Sequence, residues 1–301
     1  MTKSINVIKF SANYISSKPI SVGDKSNYPH DNFAKRCNRL IIVINFNARL
    51  DISCLVVHLT KLYSTQKPAL RQLDTLKISI VIPTLDEALI LEDSLRAISD
   101  LNPHEIIVAD GGSTDTTVSV AHNIATQVIT SKSAGRAHQM NAGAEKATGD
   151  ILLFMHADSR LTWESFRRMK KIMTPTGIAG GAFSLQIESK KTSLKVISLL
   201  ATWRAKYLNL VYGDQTIFVR TDVFQKMGGF SPLPICEDLD FFRRLSRQGK
   251  ILLLKEKTHT SARRWKAEGI LYTTLRNIAI GSLFLLGFSP QTLSKWYSAI
   301  R

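Results

Sequence analysis

Three apolar runs in this chain each pass directly into a carboxylate: Ser79-Ile-Val-Ile-Pro-Thr-Leu-Asp86-Glu87, Ile106-Ile-Val-Ala-Asp110-Gly-Gly-Ser-Thr-Asp115 and Ile151-Leu-Leu-Phe-Met-His156-Ala-Asp158. Unbroken β-branched and leucine runs are the pattern of strands buried on both faces, and such strands belong to parallel sheets covered by helices. They predict strands over 77–83, 105–109 and 151–155, with a shorter one over 127–130. Between them, helical spacing predicts helices over 87–98, where Leu89, Leu91, Leu95 and Ile98 form a stripe, and over 115–125 and 135–147. The alternation of strand, polar turn and helix is that of right-handed βαβ units.

The second half is less repetitive. A strand is expected over 178–187, interrupted by Gly180-Gly181, then a mostly apolar helix over 192–211 and a strand over 216–220. Thr221 or Asp222 can cap a short helix that stops at Gly228-Gly229. A helix over 238–248, an apolar segment over 269–288 and a terminal helix after Pro290 complete the pattern. Residues 1–76 show no sustained period, although 40–44 could form a strand and 54–63 a short helix or strand. The expected organisation is an N-terminal extension over 1–76, poorly ordered or of unknown role, and one α/β domain over 77–301 with a mostly parallel sheet.

Charge changes this picture little. The net charge of +16 implies attraction to anions, but residues 1–76 hold +7 of it, so the excess is diffuse. No RNA- or DNA-binding signature accompanies it, so nucleic acid is not expected as a partner. Three widely spaced cysteines, Cys37, Cys54 and Cys236, offer neither a disulfide framework nor a zinc pattern and point to a cytoplasmic setting. No apolar run approaches the ~18–20 residues of a spanning helix. The apolar segments 192–211 and 269–288 leave two readings open. One is ordinary core burial. The other is a greasy surface that holds the protein against the inner face of an anionic membrane and admits a lipid-like acceptor.

In an open α/β sheet the ligand crevice lies at the carboxyl ends of the strands, so the acids that end the three runs are expected on one rim. Asp110 precedes Gly111-Gly112 and a helix start whose amides suit an anion or a base; a plain capping turn is the other reading. Asp158 offers a hard oxygen ligand for Mg²⁺ or Mn²⁺, with His156 as a further ligand or its support. Glu237-Asp238 opens a helix, where acids are favoured by the dipole alone, yet a carboxylate there could serve as a general base. Arg263-Arg264-Trp265 and Arg136 present guanidinium groups suited to phosphate.

The ordered series Ile80-Val-Ile-Pro-Thr-Leu-Asp-Glu87, Val108-Ala-Asp-Gly-Gly-Ser-Thr-Asp115, Gly135-Arg-Ala-His-Gln-Met-Asn141-Ala-Gly143, Met155-His-Ala-Asp158, Tyr212-Gly-Asp-Gln215, Gly228-Gly-Phe230, Glu237-Asp238 and Arg263-Arg-Trp265 resembles the family 2 glycosyltransferases of the GT-A fold. More narrowly, it resembles their small bacterial radical-SAM/selenodomain-associated, or arsenosugar-type, branch. The resemblance spans about 77–301 and none of 1–76. It implies an inverting, metal-assisted transfer of sugar from a nucleoside-diphosphate sugar to an unknown acceptor. It also implies that Pro83, Thr84 and Glu87 line the nucleotide pocket, that Asp110 reads the base or ribose, and that Asn141, His156, Arg136, Arg263, Arg264 and Trp265 belong to the donor site. Asp158 matches the last acid of the family's Asp-x-Asp metal motif, and Asp238, beside Glu237, matches the catalytic base. Two positions depart from the family pattern: His156 replaces the first acid of that motif, and Asp86 stands where Asn is usual. Two other readings remain, a nucleotidyltransferase and a non-catalytic nucleotide-sugar binder. The stretch after the first strand, Pro83-Thr-Leu-Asp-Glu-Ala, lacks the glycine-rich loop of the former.

Overall fold

The computed structural model describes residues 76–297, apart from 134 and 176. The elements expected over 40–44 and 54–63, together with Cys37 and Cys54, lie outside the described residues.

The strands are β1 (Ile78–Thr84), β2 (Glu105–Asp110), β3 (Gln127–Thr130), β4 (Ile151–Phe154), β5 (Ser159–Leu161), β6 (Ile178–Glu188), β7 (Ile217–Arg220) and β8 (Lys250–Ser261). They form one sheet in the order β3-β2-β1-β4-β7-β6-β8-β5. The first four are mutually parallel, with Ile80 opposite both Ile106 and Leu153. β7 then runs antiparallel to both β4 and β6, β6 and β8 are parallel, and β5 is antiparallel to β8. The sheet is therefore mixed, and its uninterrupted parallel part is confined to β1–β4.

The helices are α1 (Ala88–Ser99), α2 (Thr117–His122), α3 (Arg136–Lys146), α4 (Trp163–Met173), α5 (Thr192–Leu208), α6 (Thr221–Lys226), α7 (Glu237–Leu245), α8 (Arg263–Glu268), α9 (Ile270–Leu285) and α10 (Pro290–Ser294). Alternate residues of a strand point to opposite faces, and both faces are covered. Ile80 and Ile82 pack with Leu91 and Leu95 of α1 and with Phe166 and Met169 of α4. Val81, Leu152 and Phe154 pack with Ala137 and Met140 of α3 and with Phe241 and Phe242 of α7. The parallel strands thus point their carboxyl ends the same way from a core buried on two sides.

The sequence pattern missed four elements: β5, α4, β8 and α8. α4 was readable, since Phe166, Met169 and Met173 repeat at helical spacing behind a Thr162 cap whose hydroxyl accepts the Ser165 N–H at 3.1 Å. β8 was readable only in its first half, Ile251-Leu-Leu-Leu254, because its second half, Lys255-Glu-Lys-Thr-His-Thr-Ser261, carries no apolar side chain and is recruited by pairing with β6. No described helix is long and apolar enough to cross a membrane. α5 and α9 nonetheless each turn an apolar stripe outward, which corrects the reading of these segments as wholly core.

Candidate active site

The loops after β1 and β2 are held mainly by one another. Asp110, only 1% exposed, accepts the backbone N–H groups of Gly112 and Ser113, each at 2.8 Å, and the Ser113 hydroxyl at 2.5 Å. Gly112 sits at φ +95°, a conformation that favours glycine, and lets the loop fold back on that carboxylate. Asp86 accepts the Thr114 N–H at 2.8 Å, so the loops are latched from both sides. Below them, the Gln139 amide donates to the carbonyls of Thr84 (2.6 Å) and Ala109 (3.0 Å), satisfying acceptors where β1 and β2 end.

β4 ends next to β1, and the chain continues through His156 and Asp158 into β5. Because β5 pairs with β8, the end of β8 is brought over this loop, and the Ser261 N–H donates to the Asp158 carbonyl at 3.2 Å. α8 starts there. Residues more than a hundred positions apart, Asp158 and the Arg263-Arg264-Trp265 run, become neighbours through a strand of only three residues. Arg263 then reaches back to Glu87 in a two-pronged ion pair of 3.0 and 3.1 Å.

The third contribution comes from α7 and the turn of Gly213–Gln215. Asp238 accepts the Gly213 N–H at 2.5 Å and the Leu239 N–H at 2.7 Å. A Cβ at Gly213 would lie 2.5 Å from His156 Nε2, so glycine is what permits the turn to sit against that ring. Glu237, 2% exposed, pairs with Arg136 of α3 at 2.8 Å. The start of α7 rests on stacked aromatic rings: Phe230 lies 4.2 Å from Phe241 and meets Phe154 edge-on at 4.8 Å.

The loop between β4 and β5, the end of β8 with α8, and the start of α7 with its neighbouring turn line one cavity, to which the loops after β1 and β2 supply no lining residue. Arg136, His156, Asp158, Asp238, Arg264 and Trp265, all expected from the sequence, line it. So do Tyr212, Asp214, Asn277 and Tyr297, which the sequence reading left out of the site. The Tyr212-Gly-Asp-Gln215 motif was the available signal for the first two; Asn277 and Tyr297 arrive only by folding of the C-terminal helices.

Several expected ligand-binding side chains are engaged elsewhere and do not line the cavity. Both ends of the Asn141 amide are taken by the backbone of Phe230, at 2.8 Å each, so it clamps the Gly228-Gly229 turn. Asp110 holds its own loop, Arg263 is matched to Glu87, and Pro83 and Thr84 are buried at the end of β1. Glu237 is turned toward Arg136 beneath the cavity.

Burial dominates the electrostatics. It lowers the His156 imidazole to about 3, helped by the Arg136 and Arg264 charges, so the ring is neutral and can offer a nitrogen lone pair. Burial also raises Asp158, opposed by Arg263. Asp214 is pushed up to about 6 by burial, with Arg204 opposing, and its Oδ1 is buried without a hydrogen-bond partner. Its folded pKa exceeds its unfolded one, so the stability it contributes is complete below about pH 4 and lost as pH rises through about 6. Asp214→Asn should therefore gain about 2–3 kcal/mol relative to the parent between about pH 4 and pH 8. Denaturant melts across that range would show it; a constant difference would refute the assignment.

Comparison with known proteins agrees with this fold. Residues 79–225 match the family described as Glycosyl transferase family 2, a stretch that holds β1 to β7 and stops before α7. A PGL/p-HBAD biosynthesis glycosyltransferase of Mycobacterium bovis is 37% identical over 91 residues, covering 28% of this chain and 36% of that protein. Glycosyltransferase AglE of Haloferax volcanii is 24% identical over 168 residues, covering 51% and 55%. The chain thus spans about half the length, or less, of these relatives. Among solved structures, S. aureus TarS 1–349 in complex with UDP-GlcNAc superposes with a TM-score of 0.50 at 17% identity, covering 62% of this chain and 58% of that one. The likeness to TarS extends to the fold. Over residues 79–225, just under half of its length, the chain is similar to the glycosyl transferase family 2 domain.

Proposed function

We propose that this chain transfers a sugar from a nucleoside-diphosphate sugar to an acceptor hydroxyl, with inversion at the anomeric carbon. The observation that carries the reading is the meeting of Asp158, Asp238, Arg136, Arg264 and neutral His156 in one cavity past the carboxyl end of β4. Asp238, held by two backbone N–H groups, removes the acceptor proton as the acceptor oxygen bonds to the anomeric carbon. The bond from that carbon to the diphosphate breaks on the opposite side. Arg264, stacked 4.5 Å over the Tyr297 ring, faces the developing diphosphate charge with Arg136. Arg263 instead fixes Glu87 and thereby the entry to α1.

The donor set fits a loosely held hard cation. Asp158 supplies a carboxylate whose pKa burial raises against the opposing charge of Arg263, and His156 supplies a neutral nitrogen. Among the described residues, no group of three or more His, Cys, Asp or Glu side chains is arranged to hold a metal by itself. Such a site suits Mg²⁺ or Mn²⁺ that takes most of its shell from diphosphate and water. Bound there, the ion would neutralise leaving-group charge. Because the TarS structure contains UDP-GlcNAc, that donor is the first to try. Asp158→Ala should weaken UDP-sugar affinity by at least about tenfold with Mn²⁺ present and leave the metal-free affinity within about twofold, read by calorimetry. Equal loss in both conditions would remove Asp158 from the metal site.

A further inference from the structure

α5 and α9 lie against each other, and each presents an apolar stripe to solvent. On α5 the stripe is Val196, Leu199, Leu200, Trp203 and Tyr207, whose spacing of three and four residues keeps them on one face. The least exposed of the five is Val196 at 48% and the most exposed is Leu199 at 69%. On α9, Leu271, Leu275 and Ile278 repeat the pattern, each more than half exposed. The opposite face of α5 is spent on the core, where Leu194 packs with Leu185, Ile187 and Ala262. These helices therefore have an inner face that is satisfied and an outer face that is not.

Charge narrows what can cover that outer face. Residues 189–213 and 269–297 contain no Asp or Glu, whereas Lys190, Lys191, Lys195 and Lys206 lie exposed along α5 and its approach, and Lys295 lies beyond α9. Aromatic side chains suited to a lipid headgroup region stand among them: Trp203 and Tyr207, 5.5 Å apart, and the exposed Trp296. Two copies pressed together through this face would bring basic rims against each other, which is unfavourable. An anionic bilayer matches both the apolar stripe and the basic rim.

We infer that the α5–α9 face is a docking surface for an anionic phospholipid membrane, on which the protein lies without spanning it. The inner side of α9 supplies Asn277, Ile280 and Gly281 to the cavity that holds Asp238, so docking sets that cavity beside the lipid surface. The purpose of docking, to admit a lipid-borne acceptor, rests on the transfer reading above; the membrane contact does not.

The test uses the full chain and sedimentation with phosphatidylcholine vesicles, with and without a third of phosphatidylglycerol. The parent should co-sediment with the anionic vesicles at least about tenfold more than with the neutral ones. Trp203→Glu combined with Leu275→Glu should abolish this, while Leu89→Glu, an exposed position on α1 outside the two stripes, should not. Since both test positions are exposed, folding should survive, and unchanged thermal melts and donor hydrolysis would confirm that. Quenching of tryptophan fluorescence by brominated lipid, diminished in Trp203→Phe, gives a readout that needs no destabilising substitution. Absence of anionic-vesicle binding, binding indifferent to the paired substitution, or a dimer that the pair disrupts would overturn the inference. Donor hydrolysis persisting alongside any of these would leave the transfer reading standing.

Discussion

Asp238→Asn is expected to lower the turnover of sugar transfer by about 10²–10⁴-fold while leaving nucleotide affinity within about twofold, the loss typical of a missing general base. The substitution keeps shape and one acceptor oxygen, so the Gly213 N–H, now 2.5 Å from Oδ2, retains a partner. The other position becomes an NH₂ facing the Leu239 N–H, which at present donates to Oδ1 at 2.7 Å. A cost in stability of about 1 kcal/mol is therefore expected as well. Steady-state turnover, nucleotide titration and a thermal melt of the same preparation separate the two effects. Full activity in a folded Asp238→Asn protein would exclude this residue as the base.

Arg136→Met should destabilise the fold by about 2–4 kcal/mol, because it strands a carboxylate that is almost wholly enclosed. Glu237 is 2% exposed, its Oε1 meets Arg136 at 2.8 Å, and its Oε2 has no hydrogen-bond partner. The arginine is itself 38% exposed, which keeps the expected value below that of a fully buried pair. Burial already raises the Glu237 pKa, and Arg136 is what opposes that rise. Without the arginine the folded pKa climbs further above the unfolded one, so the deficit should be smallest below about pH 4 and grow as pH rises. Arg136→Met/Glu237→Gln should recover much of the loss, since a neutral amide replaces the stranded charge. Denaturant unfolding of both variants at acid and neutral pH tests this; equal deficits at every pH would mean that Glu237 carries no charge to strand.

The legible part of the fold was its parallel half. A strand covered on both faces must be apolar throughout, so β1, β2 and β4 announced themselves, and the acids Asp86, Asp110 and Asp158 marked where the strands stop. Direction is not written in such runs: nothing in Ile217–Arg220 distinguishes β7, antiparallel to β4, from its parallel neighbours. The polar half of β8 is held by strand pairing and left no apolar trace. Of the residues that line the cavity, Asp158, Asp238 and Arg136 were legible because each begins or follows an element with a readable pattern, whereas Arg264 was singled out only by its company with Arg263 and Trp265. Asn141 and Arg263 look the same in sequence but are turned to Phe230 and Glu87 by contacts made across the fold. Asn277 and Tyr297 escaped because their helices reveal their facing only once packed against Ile235 and Leu239.

α8, α9 and α10 follow one another from the end of β8, and α8 and α9 line the cavity together with Tyr297 beyond α10. They grip α7 through a small apolar cluster of their own, Ile235, Cys236, Leu239, Ile280 and Leu293, separate from the two cores that pack the sheet. Because Arg264 of α8 and Asn277 of α9 line the same cavity as Asp238, a substitution that loosens this small cluster should disturb the cavity while the two sheet cores stay intact.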